Sequence, residues 1–319
     1  MQPKVSIIVS NWNGATITYN GSPILKRCLD SLRRTAYKNH NMLLTDDAST
    51  DNSVEFVRKN YPRIRVLANK TNVGYARNNN RAINYALRHY APEYILLLNN
   101  DIIITDTGWL SKMVKAAESD PKVAVEGCKL LYPDGRIQHG GIIFKNSLPI
   151  TRGRLDPGKK YGRIESADAV IGAVFLMRVS AMEKIGLLDN NFYRGPDDVD
   201  FSIRARKHGY RVLYNGKVSL IHLEGSTFYQ SSQEVRDRSF YKRLVGRTYF
   251  AFKDIPFPYN IKVLLTLLLG SVFTMEAGDR SRGLPNLRLR DRIIWRLRMY
   301  SKATSEAHKL YKEYKRSPS

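Results

Sequence analysis

Apolar runs that stop abruptly at aspartate or asparagine restrict what this chain can become more than any other feature. Leu44-Thr45 gives way to Asp46-Asp47-Ala48-Ser49-Thr50-Asp51, and Tyr94 to Leu98 gives way to Asn99-Asn100-Asp101. The second run is apolar throughout, as expected of a strand covered on both faces. Val5 to Ser10, broken by Asn11-Trp12-Asn13-Gly14, and Ile64 to Leu67 also read as strands, and Ala15 to Ser22 as a loop. Helical periods separate the strands. One covers residues 23–34, with Pro23 in its first turn and Leu25, Leu29 and Leu32 on one face. A second carries Val54, Phe56 and Val57 and is capped by Asp51 or Asn52. A third runs from Gly74 to Tyr90 with Ala76, Ile83 and Leu87 inward, and a fourth from Asp106 to Ala117. Such alternation implies a parallel sheet with right-handed crossovers. Ligands bind beyond the carboxyl edge of a sheet of this kind. The two acidic edges therefore predict a nucleotide crevice, with Asp101 placed to hold a divalent cation beside phosphates.

After Val123 the pattern changes. Short strands and turns follow, among them Tyr132-Pro133-Asp134-Gly135 and His139-Gly140-Gly141, then the apolar stretch Ala169 to Met177 ahead of a helix at Ser180 to Ile185. The expected organisation is a domain over residues 1–230, its nucleotide-binding half at 1–122 and its acceptor half at 123–230, followed by a helical, basic region at 231–319. A chain of 319 residues is long enough for that arrangement, and 52 Lys and Arg against 29 Asp and Glu give it a net charge of +23. Charge of this sign attracts phosphorylated substrates, an anionic membrane or nucleic acid. Cys28 and Cys128, the only cysteines, have neither disulfide nor zinc spacing, and Met1-Gln2-Pro3-Lys4 offers no apolar signal core. Both features fit a reducing, cytoplasmic setting.

Breaking the sugar–phosphate bond of a nucleotide sugar leaves a diphosphate, whose developing charge needs a cation or fixed positive groups. Mg²⁺ or Mn²⁺ takes hard oxygen ligands and keeps positions open for phosphate. Asp101 supplies one such oxygen, and Asn99, two residues earlier on an extended backbone, points to the same side. The same residues also suit a plain polar turn. Asp46 can accept a hydrogen bond from a base imide or a ribose hydroxyl, whereas Asp51 suits helix capping. Further on, Asp197, Asp198 and Asp200 crowd together ahead of Arg204, Arg206 and His208. A helix N-terminus there favours them and leaves one free to act as a general base; alternatively, they form no more than an acidic first turn before a basic face. His222 closes the apolar run Val218 to Ile221. Its imidazole either completes the metal site or is structural.

At these residues the chain resembles family 2 glycosyltransferases of the GT-A fold, in particular the rhamnosyltransferase-like branch. The resemblance runs from Lys4 to Phe228 and rests on blocks in the family's order: Val5 to Gly14, Asp46 to Ser53, Asn72 to Asn80, Asn99 to Asp101, Gly172 to Arg178, Asp197 to Tyr210, and His222. It implies an α/β, Rossmann-like fold with a mostly parallel central sheet flanked by helices. It also implies transfer with inversion, without a covalent intermediate, from a UDP- or dTDP-sugar to a hydroxyl of a lipid-linked or surface-glycan acceptor. Residue by residue, Asp46 resembles the aspartate that contacts the nucleoside base, and Asn11, Asn72, Arg77 and Asn99 fall in segments that line the nucleotide pocket. Asp101 matches the last aspartate of the metal-binding D-x-D signature, and His222 resembles the histidine that binds metal or diphosphate. Asp198 sits at the position of the catalytic base, with Asp197 in place of the commoner glutamate beside it. Asn99 replaces the first aspartate of the signature, which weakens metal binding and points to partial metal independence. The loop Ala15 to Ser22 is longer than the family's usual link and is placed to cover the donor or touch the acceptor.

Beyond about residue 230 the resemblance fades. Ile261 to Met275 is shorter than the roughly 20 residues a membrane-spanning helix needs, which predicts a core or interfacial helix. From Glu276 onward 12 Lys and Arg face 5 Asp and Glu, and Leu289, Ile293, Leu297 and Tyr300 recur at helical spacing. Read as a basic amphipathic helix, this region places the enzyme peripherally on the inner face of the membrane. Otherwise the helix docks on the catalytic domain or on a second copy, making a homodimer. The rival reading, a basic non-enzymatic nucleic-acid-binding protein, has no RNA- or DNA-binding motif behind it. No G-x-G-x-x-G follows the first strand, which argues against a dinucleotide oxidoreductase.

Overall fold

The computed structural model describes residues 2–146, 148–224, 232–273 and 289–316. The chain divides into two units. Met1–Phe144, Pro149–Asp189 and Asp197–Ser226 form the first, and Lys145–Leu148, Asn190–Pro196 and Thr227–Ser319 the second.

In chain order, the elements up to residue 222 are β1 (Val5–Asn11), β2 (Thr18–Tyr19), β3 (Ser22–Pro23), α1 (Ile24–Leu32), β4 (His40–Asp46), α2 (Ser53–Asn60), β5 (Arg65–Ala68), α3 (Tyr75–Tyr90), β6 (Tyr94–Asn99), β7 (Ile102–Ile103), α4 (Trp109–Glu118), β8 (Val123–Leu131), β9 (Ile137–His139), β10 (Ile142–Lys145), β11 (Leu148–Thr151), β12 (Ile164–Ala167), β13 (Val174–Arg178), α5 (Val179–Ile185), α6 (Asp197–Lys207) and β14 (Arg211–His222). The main sheet has the order β12-β14-β8-β13-β6-β1-β4-β5, with β7 on β14 and β9 on β8. β5, β4, β1 and β6 run parallel, β13 lies antiparallel between β6 and β8, and β14 runs parallel to β8. Strands on either side of residue 122 thus share one sheet.

β1 and β6 are buried end to end because helices cover both faces of the sheet. Leu25, Leu29 and Leu32 of α1 and Trp109, Leu110 and Met113 of α4 pack with Val5, Ile7, Val9, Leu96 and Leu98 into one core. α3 buries Ala76, Ala82, Ile83 and Ala86 and is fastened further by hydrogen bonds through three consecutive buried asparagines. Asn78 binds Thr45 of β4, Asn79 accepts from Ser10 of β1, and Asn80 exchanges two bonds with the Leu188 backbone. Each satisfies a polar group that would be costly to bury alone, and together they hold the start of α3 against the strand ends.

Several local expectations change. Residues 15–22 are not simply loop: β2 and β3 pair as a small hairpin, and Ile17 packs with Ile24 and Leu223. Pro23 therefore belongs to β3, extended at ψ 135, and the helix begins one residue later. α4 starts at Trp109 because Asp106 spends its carboxylate on a turn, accepting the Gly108 N–H at 2.9 Å. The later strands are not all short: β8 has 9 residues and β14 has 12. Asp51 accepts the Ser53 N–H at 3.0 Å but also the Ala15 and Thr16 N–H groups, so it ties that loop to the start of α2.

The second unit carries α7 (Gln233–Asp254), α8 (Tyr259–Phe273) and α9 (Leu289–Arg316). Ser232 caps α7 by accepting the Val235 N–H. α9 lies along α7 through the buried Ala303 and Ala307, with Tyr241 and Lys242 reaching Glu306 and Phe252 stacked on Tyr311. Of the predicted stripe of Leu289, Ile293, Leu297 and Tyr300, only the last two side chains are described. The Leu289 and Ile293 side chains lie outside the described residues, Leu297 is exposed, and the Tyr300 hydroxyl donates to the Leu264 carbonyl. Of the core or interfacial helix expected over residues 261–275, the described start, α8, leaves Ile261 and Leu265 exposed. Among the described residues no helix is long and apolar enough to cross a membrane.

One buried charge stands apart. Glu126 of β8 is fully buried; its Oε1 accepts from Asn215 Nδ2 at 2.9 Å, and its Oε2 has no partner. Burial raises its carboxyl well above the usual range. A group held protonated in the fold contributes fully below its unfolded pKa and loses that contribution as pH rises. Glu126→Gln keeps the acceptor for Asn215 and removes the titration. The stability of the variant relative to the parent should therefore climb between pH 5 and pH 8, by up to about 1–3 kcal/mol. Urea unfolding at the two pH values checks it.

Candidate active site

Register alone brings three strand ends together. Asn11 of β1 lies opposite Asp46 of β4, and Ser10 lies opposite Asn99 of β6. Asn11 Nδ2 donates to Asp46 Oδ2 at 2.7 Å, and Asn11 Oδ1 accepts from Asn100 Nδ2 at 2.6 Å. Asp46 also accepts the Ser49 N–H and hydroxyl at 2.8 and 2.6 Å, which folds the following loop back on the strand end. Gly14 sits against this chain. A Cβ there would stand 2.5 Å from both Asn11 Oδ1 and Asn100 Nδ2. Gly14→Ala should therefore break the Asn11–Asn100 bond, lower stability by about 1–3 kcal/mol and slow transfer, as read by urea unfolding and turnover on one preparation.

Asp47 does a different job from its neighbour. Its carboxylate accepts the Val73 and Gly74 N–H groups at 2.8 and 2.9 Å, and Asn72 Nδ2 donates to the Asp47 carbonyl at 3.0 Å. Gly74, at φ +87, turns the chain into α3 in a conformation that disfavours side chains. Arg77 stands exposed on the first turn of α3.

Asp101 and His222 are far apart in the chain and adjacent in the fold. β7 pairs with the end of β14, setting His222 opposite Ile102, and the Leu223 N–H donates to the Asp101 carbonyl at 3.0 Å. His222 Nε2 lies 3.1 Å from Asp101 Oδ1, a buried oxygen with no well-aligned hydrogen-bond donor. Burial opposes charging of His222, but the Asp101 carboxylate outweighs it and the imidazole pKa is raised. The other ring nitrogen, Nδ1, pairs with Gln138 Oε1 at 2.9 Å. When Nδ1 carries the proton, Nε2 is left as a ligand atom, the arrangement of second-sphere partners around metal-binding histidines. The pair therefore fits a hard divalent cation. Among the described residues no set of three or more His, Cys, Asp or Glu side chains converges on a metal position. Two protein ligands leave most of a coordination shell to phosphate and water.

Asp198 lies in the first turn of α6 with Asp197 and Asp200. The three carboxylates have distinct fates. Asp200 is fully buried and paired with Arg204 at 2.9 Å, and Arg204 also donates to the Ile185 and Leu187 carbonyls. Asp197 is buried with Oδ2 unpartnered, and burial, then the Asp198 charge, raises its pKa well above the usual range. Only Asp198 keeps partial exposure. It accepts the Gly172 N–H at 2.6 Å and the Val199 N–H at 2.8 Å, and burial pushes its carboxyl up to about 6 against the pull of those donors.

Tyr75 joins the two ends of the site. Its hydroxyl donates to the Gly172 carbonyl at 2.8 Å, and it feels the charges of Asp197, Asp198 and Asp101 together. Neither Tyr75 nor Gln138 was marked by the sequence reading. Asn100, rather than Asn99, makes the side-chain link to Asn11. Tyr75 follows a glycine at a helix start, a pattern that signals a turn and nothing about chemistry; Gln138 has no signal at all.

A mixed α/β sheet with a polar cluster at its strand ends is the architecture of the GT-A glycosyltransferases, to which the similar solved structures belong. Among solved structures, the chain is similar to a mannosyltransferase of Pyrobaculum calidifontis in complex with GDP-Man and Mn²⁺. The TM-score is 0.55 at 17% identity, over 97% of this chain and 85% of that one. The chain belongs to glycosyl transferase family 2, whose profile matches residues 15–186. It is 30% identical over 237 residues to the O-antigen biosynthesis protein RfbC of Myxococcus xanthus; the match covers 70% of this chain but only 18% of the length of RfbC. It is also 24% identical to an N-acetylglucosaminyl-diphospho-decaprenol L-rhamnosyltransferase of Mycobacterium tuberculosis, over 65% of this chain and 74% of that protein.

Proposed function

We propose that the chain transfers a sugar, with inversion, from a UDP- or dTDP-sugar to a hydroxyl of a lipid-linked or surface-glycan acceptor. The approach of Asp101 to His222 carries the reading, because it sets a metal-ligand pair at the strand ends where an α/β sheet receives a nucleotide diphosphate. The mycobacterial relative, named for rhamnosyl transfer to a decaprenol diphosphate sugar, supports the acceptor class. The mannosyltransferase holding Mn²⁺ supports the cation.

In this reading residues 1–122 form the nucleotide-binding half, 123–230 the acceptor half and 231–319 a basic helical region. Asn11, Asp46, Asn72, Arg77 and Asn99 bind the nucleotide. Asp101 and His222 hold Mg²⁺ or Mn²⁺, which when bound neutralises charge on the leaving diphosphate. Asp198 takes the proton of the acceptor hydroxyl as its oxygen attacks the anomeric carbon from the face opposite the diphosphate. The carbon–phosphate oxygen bond breaks, and its electron pair leaves with the nucleoside diphosphate. A base that titrates near 6 is ionised at neutral pH yet basic enough to share a proton in the transition state. Asp197, kept neutral, spares Asp198 a second negative charge. The enzyme works on the inner face of the cell membrane, where lipid-linked acceptors meet cytoplasmic donors.

Thermal shift against UDP-, dTDP- and GDP-sugars, with and without Mn²⁺, tests the reading. A Mn²⁺-dependent rise with a UDP- or dTDP-sugar is the expected result. Stabilisation by nucleic acid and by no nucleotide sugar would reverse it.

A further inference from the structure

Exposed apolar side chains in the second unit are gathered rather than scattered. Phe257 is 76% exposed, Ile261 46% and Leu265 52%, and they recur at every fourth residue. Phe257 lies in the turn just ahead of α8, which begins at Tyr259, and the Asn260 N–H donates to the Pro256 carbonyl across that turn at 3.1 Å. Fourth-residue spacing puts Ile261 and Leu265 on one face of α8, and Phe257 is exposed in the turn that leads into it. α9 runs beside α8, with the Tyr300 hydroxyl on the Leu264 carbonyl at 2.8 Å. One turn before Tyr300 on α9 stands Leu297, 44% exposed, and one turn earlier Ile294, 37% exposed. Lys262 and Arg298 are exposed beside these side chains. Several large apolar side chains left in water on two neighbouring helices and the turn before them mark an interaction site.

Charge selects the occupant. Between Thr227 and Ser319 there are 19 Lys and Arg against 8 Asp and Glu. A second copy of the chain would bring the same excess and repel it. A bilayer with anionic headgroups offers the opposite charge at its surface and hydrocarbon just beneath, the combination that holds basic amphipathic surfaces in the interface. Lysine and arginine stems can lie along the apolar groups while their charged ends stay among the headgroups.

We infer that Phe257, Ile261 and Leu265, continued by Ile294 and Leu297, form a docking surface that enters an anionic lipid bilayer without spanning it. The inference rests on the peripheral-membrane reading above, keeps Leu297 of the predicted stripe and adds the start of α8 to the contact.

The test is co-sedimentation of the full chain with vesicles of phosphatidylcholine, alone or with phosphatidylglycerol. The unaltered chain should bind only the anionic vesicles, and less at high salt. Phe257→Asp with Leu265→Asp should cut the bound fraction about tenfold, with circular dichroism and calorimetric donor affinity unchanged. Phe257→Ala with Leu265→Ala, which adds no charge and is easier to fold, should give an intermediate loss. If the unaltered chain ignores anionic vesicles, the membrane reading itself falls. If it binds and both double variants bind as well as it does, the surface is wrong while the membrane reading stands. A fall in oligomer mass on sedimentation, with vesicle binding intact, would assign the stripe to a second copy and overturn the inference.

Discussion

Replacing Asp198 with Asn should lower sugar transfer by on the order of 10²–10⁴-fold in kcat and leave the chain folded. The amide keeps an acceptor for the Gly172 N–H but cannot take the acceptor's proton. In the parent enzyme transfer should rise with pH through about 6, because the base must be ionised to act. The same titration predicts a gain in stability for the variant. The folded carboxyl is raised from 3.8 to about 6. Its contribution is therefore complete below the unfolded pKa and lost as pH climbs through about 6. At pH 7 the ionised, largely desolvated group costs the folded state, and Asp198→Asn should be more stable by on the order of 1 kcal/mol, with no gain at pH 4. Turnover and urea unfolding at the two pH values read both effects. Transfer at the parent rate would take the base role from Asp198.

Asp101→Ala has the second large effect. It deletes the carboxylate that faces His222 Nε2 at 3.1 Å and leaves one protein ligand of the pair. Donor affinity in the presence of Mn²⁺ should fall by about 100-fold or more, while affinity in the presence of a chelator changes little. Because Asn99 stands in place of a second carboxylate, the parent should retain measurable metal-independent donor binding, and that residue of binding is what the variant keeps. Titration calorimetry with and without Mn²⁺ separates the two. Equal Mn²⁺ responses in parent and variant would sink the metal assignment.

The parallel half of the sheet was legible because β-branched and leucine runs covered on both faces leave little choice but strands, and because Asp and Asn mark where they end. The small hairpin at Thr18–Tyr19 and Ser22–Pro23 was not legible, since two-residue strands carry no period. In the C-terminal region the helical spacing was legible as helix, but the face that packs on α7 was not. Ala303 and Ala307, small side chains that let α9 approach α7, carry too little apolar signal to mark it.

By itself the sequence determined which residue types close each strand, the order of the family's blocks, and the basic excess of the tail. All of these are local, or are sums over residues. Tertiary structure alone decided which groups meet. His222 reaches Asp101 only because β14 runs long enough to pair with β7. Among three neighbouring carboxylates, Asp198 alone keeps partial exposure, because Arg204 holds Asp200 and Asp197 is buried. Steric preferences act between near neighbours in the chain, whereas proximity across a sheet depends on register and packing set by distant segments.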